Sequence, residues 1–464
     1  MQHQENQTIP TVAREMIDEI ETLVESGDYG ALRDRLSDLH PADIAGLLEY
    51  LQEEERHILL SLIEDNRLGE TVLHLPEEQR EEYLDELGPS RIAEIVDELD
   101  PDDAADVISE LSDEIAEQVL GQMQQVDSES TDEIRELLRY DEETAGGRMT
   151  TDYVSIQQDE TVASAIENIR DAVREYEIDI YVLYVVDAEE KLVAFVRLQD
   201  LVLHSPQTLV SSFMVRDVIT VTADEDQELV AQLMQRYDLI HVPVVDNDNH
   251  LLGIVTFDDI AEIIEEEASE DILYMVGVTD DEESPSTPAF LSLRRRLPWL
   301  IMNLGTAFIA SMVVSQFEGT IGRVTALAAL MPIVAGMGGN AAVQSIVVMV
   351  RSIALGDFGS GSKVRALVKE VTVGLMNGLV LGLLAGFVVW GMWGSFRLGI
   401  LIALAMFVNL IVAGLVGTTI PLLLRKLKFD PALSSGPIAT TFTDVCGFLT
   451  FLGLATLTLS WLLT

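Results

Sequence analysis

Five long apolar runs, at roughly 297–317, 324–350, 371–393, 398–424 and 433–463, occupy the last third of this 464-residue chain. Each reaches the length of about 20 residues needed to cross a hydrocarbon core. Buried helices of soluble proteins rarely do so five times in succession. The runs therefore predict an all-α transmembrane domain of five helices over 291–464. Its orientation follows from the basic residues. Arg294, Arg295 and Arg296 precede the first run, Arg351, Lys363, Arg365 and Lys369 flank the loop after the second, and Arg425, Lys426 and Lys428 follow the fourth. The other side has only Arg323 and Arg397. Positive charge favours the inside, so the expected placement is multi-pass in the plasma (inner) membrane, N-terminus cytoplasmic and C-terminus extracytoplasmic. Met1 leads into polar residues and acidic helix, so no signal peptide is expected.

The charge is sharply partitioned. Residues 291–464 hold five acids against twelve Lys and Arg, a net of +7, which leaves −58 of the total −51 on residues 1–290. A half so acidic repels nucleic acid, itself a polyanion. It either collects cations or is adapted to a salty medium, and both readings stay open. Cys446 is the sole cysteine, which leaves no disulfide framework and no cysteine-based metal site.

Residues 1–140 read as an all-α superhelical stack. Leu39-His40-Pro41-Ala42-Asp43-Ile44-Ala45, Leu87-Gly88-Pro89-Ser90-Arg91-Ile92-Ala93 and Leu99-Asp100-Pro101-Asp102-Asp103-Ala104-Ala105 each put a proline near a helix start, ahead of an apolar stripe. Over 141–257 the pattern becomes α/β, in two copies of about 60 residues running strand, helix, strand, strand, helix. The copies open at Met149-Thr150-Thr151-Asp152-Tyr153-Val154 and Met214-Val215-Arg216-Asp217-Val218. The second contains Ile240-His241-Val242-Pro243-Val244-Val245-Asp246 and Gly253-Ile254-Val255-Thr256-Phe257-Asp258-Asp259, and the two together resemble a tandem CBS pair. In CBS domains the Gly, apolar, apolar, Thr, x, x, Asp sequence often contacts an adenosine nucleotide. The resemblance makes Thr256 and Asp259 candidate nucleotide contacts and ATP a candidate ligand. The first copy reads Ala194-Phe195-Val196-Arg197-Leu198-Gln199-Asp200, without the Gly or the Thr, so a purely structural pair is the alternative.

Residues 258–290 are expected to connect the halves through an acidic helix. Its acids, Asp258, Asp259, Glu262, Glu265, Glu266, Glu267, Glu270 and Asp271, share it with isoleucines but with no cation. Like charges at helical spacing repel. The alternatives are a solvated linker and a carboxylate face bridged by a hard divalent cation.

Within the membrane runs, Asp444 stands alone in Ala439-Thr440-Thr441-Phe442-Thr443-Asp444-Val445. An Asp at a helix centre costs about 2.5–3.5 kcal/mol on insertion scales, so it should face a polar cavity or a partner. No base lies in the core of any run, which leaves a cation from solution as the counter-charge; a protonated, hydrogen-bonded Asp is the bland alternative. The second run contains Pro332 and then Gly336-Met337-Gly338-Gly339-Asn340-Ala341-Ala342-Val343-Gln344-Ser345. Its glycines either loosen the helix and expose carbonyls or permit close helix packing. Asn340 and Gln344, four apart, offer neutral oxygens on one face. One carboxylate with neutral oxygens suits Mg²⁺, which dehydrates reluctantly; it does not suit Zn²⁺ or Cu⁺.

These features resemble the MgtE family of Mg²⁺ channels and transporters. The most specific segments are Leu138-Arg139-Tyr140-Asp141-Glu142-Glu143-Thr144-Ala145-Gly146-Gly147-Arg148-Met149-Thr150, Gly338 to Ser345, and Asp430-Pro431-Ala432-Leu433 followed by Thr443-Asp444-Val445. Met337 and Val343 depart from the family's usual pattern. The resemblance implies a homodimer in the bilayer with a pore on its two-fold axis, no enzymatic activity, and paired Asp444 side chains holding hydrated Mg²⁺. Asn340, Gly338, Gly339, Ala439 and Thr440 are the other pore candidates. It also implies intracellular Mg²⁺ ligands at Asp259, Glu262, Glu267, Glu270, Asp271 and Asp430, with Asp97 and Asp106 as further candidates, and an acidic helix that plugs the pore when they are filled. Transport of Mn²⁺, Co²⁺ or Ni²⁺ is a rival within the same chemistry, and a membrane-anchored nucleotide sensor is a rival outside it.

Overall fold

The computed structural model describes all residues except 1–10, 49, 77–78, 81–82, 85–86, 177–179, 279–286, 288, 356–361, 434 and 464. The chain forms two compact units, Met1–Ile260 and Ala261–Thr464.

The first unit begins with short helices: α1 (Thr11–Ser26), α2 (Tyr29–Ser37), α3 (Pro41–Leu48), α4 (Glu53–Leu60), α5 (Asp65–Leu73), α6 (Pro89–Val96), α7 (Pro101–Ser109), α8 (Asp113–Val126) and α9 (Ser128–Leu137). The repeated prolines do what their spacing suggests. Pro89 and Pro101 occupy the first helical turn, where the missing N–H has no helical partner to lose. Ile44, Leu48, Ile92, Val96, Ala104 and Ile108 are buried along the stack.

Two three-stranded sheets follow, flanked by α10 (Val162–Tyr176), α11 (Leu198–Leu203) and α12 (Gln227–Tyr237). In the first, β1 (Ser155–Gln157) runs parallel to β2 (Val182–Val186), which pairs antiparallel with β3 (Leu192–Arg197). The second repeats this with β4 (Val221–Thr222), β5 (Val242–Val245) and β6 (Leu251–Val255). The hairpins close by the same chemistry. Asp187 Oδ1 accepts from the N–H groups of Glu189 and Lys191, and Asp246 Oδ1 from those of Asp248 and His250, the Asx turn that suits aspartate at such corners. Tyr184, Leu192, Val245 and Ile254 bury together, joining the sheets. The opening segments of each repeat do not extend β1 or β4. Instead Thr150 bridges to Ile254 and Val215 to Phe195.

Helix α13 (Phe257–Val276) runs out of the second repeat. It ends at Gly277, whose φ of +83° favours glycine, with Val278 N–H donating to the Leu273 carbonyl. Five helices long and apolar enough to cross a membrane follow: α14 (Ala289–Ser315), α16 (Ala326–Ala354), α17 (Ser362–Trp393), α18 (Phe396–Lys426) and α19 (Ser435–Leu457). Short helices α15 (Glu318–Arg323) and α20 (Leu459–Leu463) complete the unit. Three boundaries differ from the sequence reading. Helix α14 starts before Pro298 and runs through it, and α17 starts at Ser362, because Arg and Lys can extend a helix beyond the hydrocarbon. The last run breaks after Leu457. Pro332 does not loosen α16, which is helical throughout.

What holds α17 to α18 is backbone contact. Gly374, Gly378, Gly382 and Gly386, four apart, face the carbonyls of Leu410, Phe407, Ala403 and Gly399; a Cβ at any of them would come within 2.5–2.9 Å of those oxygens. Small residues at this spacing let membrane helices approach closely. We expect Gly378→Val to cost about 1–3 kcal/mol by overpacking, read as a lower melting temperature of the detergent-solubilised chain. Gly391→Val, with open space at its Cβ, should leave that temperature unchanged.

Candidate functional site: a membrane carboxylate and two acidic clusters

In the membrane unit Asp444 lies half-buried on α19. The hydroxyls around it are turned inward to their own helix: Thr440 donates to the Gly436 carbonyl (2.8 Å), Thr441 to Pro437 (2.9 Å) and Thr443 to Thr440 (2.9 Å). Threonine back-bonding of this kind occupies the side chain, so Asp444 is the group on this stretch with free acceptor capacity for a cation. Of the other pore candidates, Ala439 is fully buried. Gly338 and Gly339 of α16 are buried too, and serve as packing surface. A Cβ on Gly338 would collide with the Asn409 amide and lie 3.3 Å from Thr443 Cβ, and one on Gly339 would lie 3.2 Å from Thr440 Cγ2. These glycines bring α16 against the Thr440–Thr443 face of α19. Asn340 and Gln344 are exposed on α16. Lipid cannot solvate two amides, so that face needs water, an ion path or a second polypeptide.

Two polar residues of this unit escaped the sequence reading. Glu370, on α17, is 5% exposed; it accepts from Ser345 Oγ (2.9 Å) and pairs with Lys369 (3.1 Å). It stands beside Lys369 at the edge of an apolar run, which disguised it as loop. Asn409, on α18, is 1% exposed. An amide inside the run Phe407-Val408-Asn409-Leu410 was the signal available for it.

The proposed regulatory acids fall into two groups. At the end of α13 in the membrane unit, Asp271 and Asp430 approach each other. Burial first, and then the Asp430 charge, push the Asp271 carboxyl up to about 6. Asp430 Oδ1 is fixed by the N–H groups of Ala432 (2.6 Å) and Leu433 (2.9 Å). Tyr274 and Met275, one turn on, pack against the cluster that contains Ala432 and Ala439, and a Cβ on Gly436 would lie 2.6 Å from the Met275 carbonyl oxygen, so the end of α13 is docked on the start of α19. Glu267 and Glu270 are half-buried and Glu262 is exposed.

The other group lies within the first unit. Asp259 faces Asp102 and Asp106 of α7. Burial, then the Asp259 charge, raise Asp102 well above the carboxylate range, and Asp102 Oδ1 is buried with no hydrogen-bond partner. Burial drives Asp106 up to about 7 although Arg148 pulls it down, with Glu142 and Asp259 adding to the rise. Asp100 is raised by burial and then by Asp258. Asp106, a candidate ligand from the sequence, thus lies near Asp259, together with Asp102, which the sequence reading did not single out; Asp100 was not singled out either. Asp97 does not join them; it is exposed, and its acidic neighbour is Asp127. Among the described residues no three acids converge tightly enough to wrap a bare ion. Loosely convergent carboxylates fit a cation that keeps its water.

Thr256 and Asp259 hydrogen-bond to each other at the start of α13. Thr256 Oγ1 contacts Asp258 and Asp259 (2.6 Å to the latter), and Thr256 N–H donates to Asp259 Oδ2 (3.2 Å). The adjoining cleft, about 1040 Å³, is lined by Asp100, Asp152, Asp238 and Asp258, a poor setting for polyphosphate. A second cleft of about 530 Å³ presents Tyr181, Phe195, Arg197, Ile240, His241 and Pro243.

The chain is 37% identical to a magnesium transporter MgtE of Thermus thermophilus over 95% of its own length and 98% of the relative's. It belongs to the MgtE family. The family models agree: the divalent cation transporter model matches 331–454, the MgtE intracellular N domain 39–143, and the CBS domain 145–206 and 210–266. A magnesium transporter MgtE of Bacillus subtilis is 34% identical, with 95% of this chain and 97% of that one aligned. The crystal structure of the soluble part of a magnesium transporter covers 55% of this chain and 99% of its own, at 34% identity and a TM-score of 0.50. The chain is therefore a multi-pass divalent-cation transporter, not an enzyme, with an MgtE-type helical N domain and a CBS pair ahead of its membrane helices.

The acidic clusters carry a pH signature. A carboxyl whose folded pKa is raised binds its proton more tightly folded than unfolded, so it destabilises the fold fully above that pKa and progressively less as pH falls from it toward the unfolded value of about 4. For Asp106 at about 7 and Asp271 at about 6, the chelator-treated protein should melt higher as pH is lowered from about 8 to about 5. Millimolar Mg²⁺ should flatten that dependence in a thermal-shift titration, since the cation removes the same repulsion.

Proposed function

We propose that the protein is a Mg²⁺ channel closed by intracellular Mg²⁺. The observation that carries the reading is the pairing of two arrangements: a membrane carboxylate with no base in the core of any span, and carboxylates outside the spans that are buried beside other acids. Each arrangement asks for a cation. The first, Asp444, lies on a conduction route; the second, Asp271 with Asp430 and Asp259 with Asp102 and Asp106, controls it.

In this reading the conducting unit is a homodimer. The exposed Asn340–Gln344 face and the half-buried Asp444 lie on neighbouring helices of one protomer, and a second copy would close them into a pore with two Asp444 carboxylates. Two carboxylates with amide oxygens nearby suit an ion that retains its water. The N-terminal half faces the cytoplasm, on the side of the basic loops. When cytoplasmic Mg²⁺ is scarce, Asp271 repels Asp430 and Asp259 repels Asp102 and Asp106, which loosens the docking of Tyr274 and Met275 on α19. Filled sites neutralise these pairs and favour the closed arrangement, with Glu267 and Glu270 adding acceptors along α13. A ligand that binds one state better shifts the population toward it. Transport is passive, driven by the membrane potential.

A nucleotide is a further proposed ligand of the CBS pair. The second cleft, with Tyr181 and His241 to stack on a base and Arg197 for phosphate, is a better home than Thr256 and Asp259, whose side chains hydrogen-bond to each other. ATP binding measured by calorimetry should be weakened by Arg197→Ala and spared by Thr256→Ala; the reverse pattern would return the site to Thr256.

Asp444→Ala should abolish Mg²⁺-dependent growth of a Mg²⁺-auxotrophic host while the protein still inserts, and wild-type growth would remove Asp444 from the pore. Neutralising Glu267, Glu270 and Asp271 together should move inhibition by cytoplasmic Mg²⁺ to concentrations about tenfold higher or more, a change of about 1.4 kcal/mol in closed-state preference. An unchanged inhibition curve would exclude them as sensors.

A further inference from the structure

The amide of Asn409 sits at a junction of three membrane helices. Its Nδ2 donates to the Val334 carbonyl of α16 at 2.9 Å. Gly338, one turn further along α16, and Gly447 of α19 both face it: a Cβ on Gly447 would fall 2.8 Å from Nδ2 and 3.2 Å from Oδ1, and one on Gly338 would be closer still. Gly338 also abuts Thr443. The space the amide fills thus exists because two helices carry glycine there.

The other end of the amide is unsatisfied: Oδ1 is buried with no hydrogen-bond partner. A buried polar atom left unpaired is a cost to stability that a Leu or Met of similar size would not incur. Asn409 is therefore a poor choice for packing alone, and its use lies in what its donor end fixes.

Along α19, Gly447 and Thr443 lie on the face turned to this junction. Asp444 is about 100° around the helix from Thr443 and about 60° from Gly447. Any rotation of α19 about its axis carries Asp444 with it, and glycine at positions 338 and 447 offers no side chain to resist one. The Asn409 to Val334 hydrogen bond ties α18 to α16 at that level, and the amide plane wedged against Gly447 sets the angle.

We infer that Asn409 is a positioning residue for conduction, its amide setting the rotation of α19 and so the direction in which Asp444 presents its carboxylate. This rests on Asp444 as the pore carboxylate, which Asp444→Ala tests separately. The experiment uses the full-length protein in lipid and two readouts. Cys446, the only cysteine of the chain, is partly exposed two residues beyond Asp444 and reports rotation of α19 through its rate of modification by methyl methanethiosulfonate. The Mg²⁺ over K⁺ permeability ratio, from reversal potentials, reports how the carboxylate is presented.

Asn409→Asp keeps the shape but lacks the donor, and Asn409→Ala removes both. Each should change the Cys446 rate several-fold and lower the permeability ratio by about tenfold, a loss of about 1.4 kcal/mol in discrimination. Wild-type values for both readouts in either variant would overturn the assignment, as would a changed Cys446 rate with unaltered selectivity. Asn409→Ala combined with Gly338→Ala refills the space and keeps the test available should the single variants fail to insert. If packing were the whole role, that double variant would recover wild-type selectivity and the proposal would fall; we expect selectivity to stay impaired.

Discussion

A hydrocarbon core supplies no hydrogen bonds and no counter-charge, so every polar side chain carried into it must be answered by another part of the protein, by water or by an ion. That constraint arranges the membrane unit. Glu370 is answered by Ser345 and Lys369, half of the Asn409 amide by the Val334 carbonyl, and the threonines of α19 by their own helix. Asp444, Asn340 and Gln344, on the adjacent helices α16 and α19, are among the polar groups left presented, as is Asn377 on α17. Much of the structural polarity is satisfied locally, and the proposed function takes the ion past Asp444, Asn340 and Gln344.

The opposite problem governs the acidic half. Water can solvate most of its charge, and most of its acids need no further explanation. The exceptions are carboxylates that folding itself presses together. Asp102 and Asp106 come from a helix of the N-terminal stack, while Asp259 comes from the first turn of α13, so their approach depends on tertiary structure. The same holds for Asp271 and Asp430, separated by most of the membrane unit in sequence. With Asp106 near 7 and Asp271 near 6, these pairs sit where a proton or a divalent cation can change their charge. In the proposed function this arrangement is the switch: folding stores repulsion that a cation would remove.

How much of this the chain disclosed in one dimension depended on contrast. Asp444 stood out in the sequence because a carboxylate in an apolar run is rare and costly, and the five spans were legible by length. Asp102 was not, because in so acidic a segment one more aspartate carries no contrast; only the fold shows that it meets Asp259. Glu370 hid behind Lys369 at a run's edge. Gly338 and Gly339 were ambiguous between a loosened backbone and close packing, and their neighbours Asn409 and Thr440 decide for packing. Thr256 and Asp259 fit a nucleotide motif by spacing, and their mutual hydrogen bonds favour the purely structural alternative.

The central claim is that one ion is both cargo and closing signal. It is tested most directly by recording current through the wild-type protein in inside-out patches, with Mg²⁺ on the pipette side fixed and Mg²⁺ on the cytoplasmic face varied. The account predicts inward Mg²⁺ current that is high when the cytoplasmic face is Mg²⁺-free and falls steeply and reversibly as Mg²⁺ is added there. Current independent of cytoplasmic Mg²⁺, beyond the change in driving force, would contradict it.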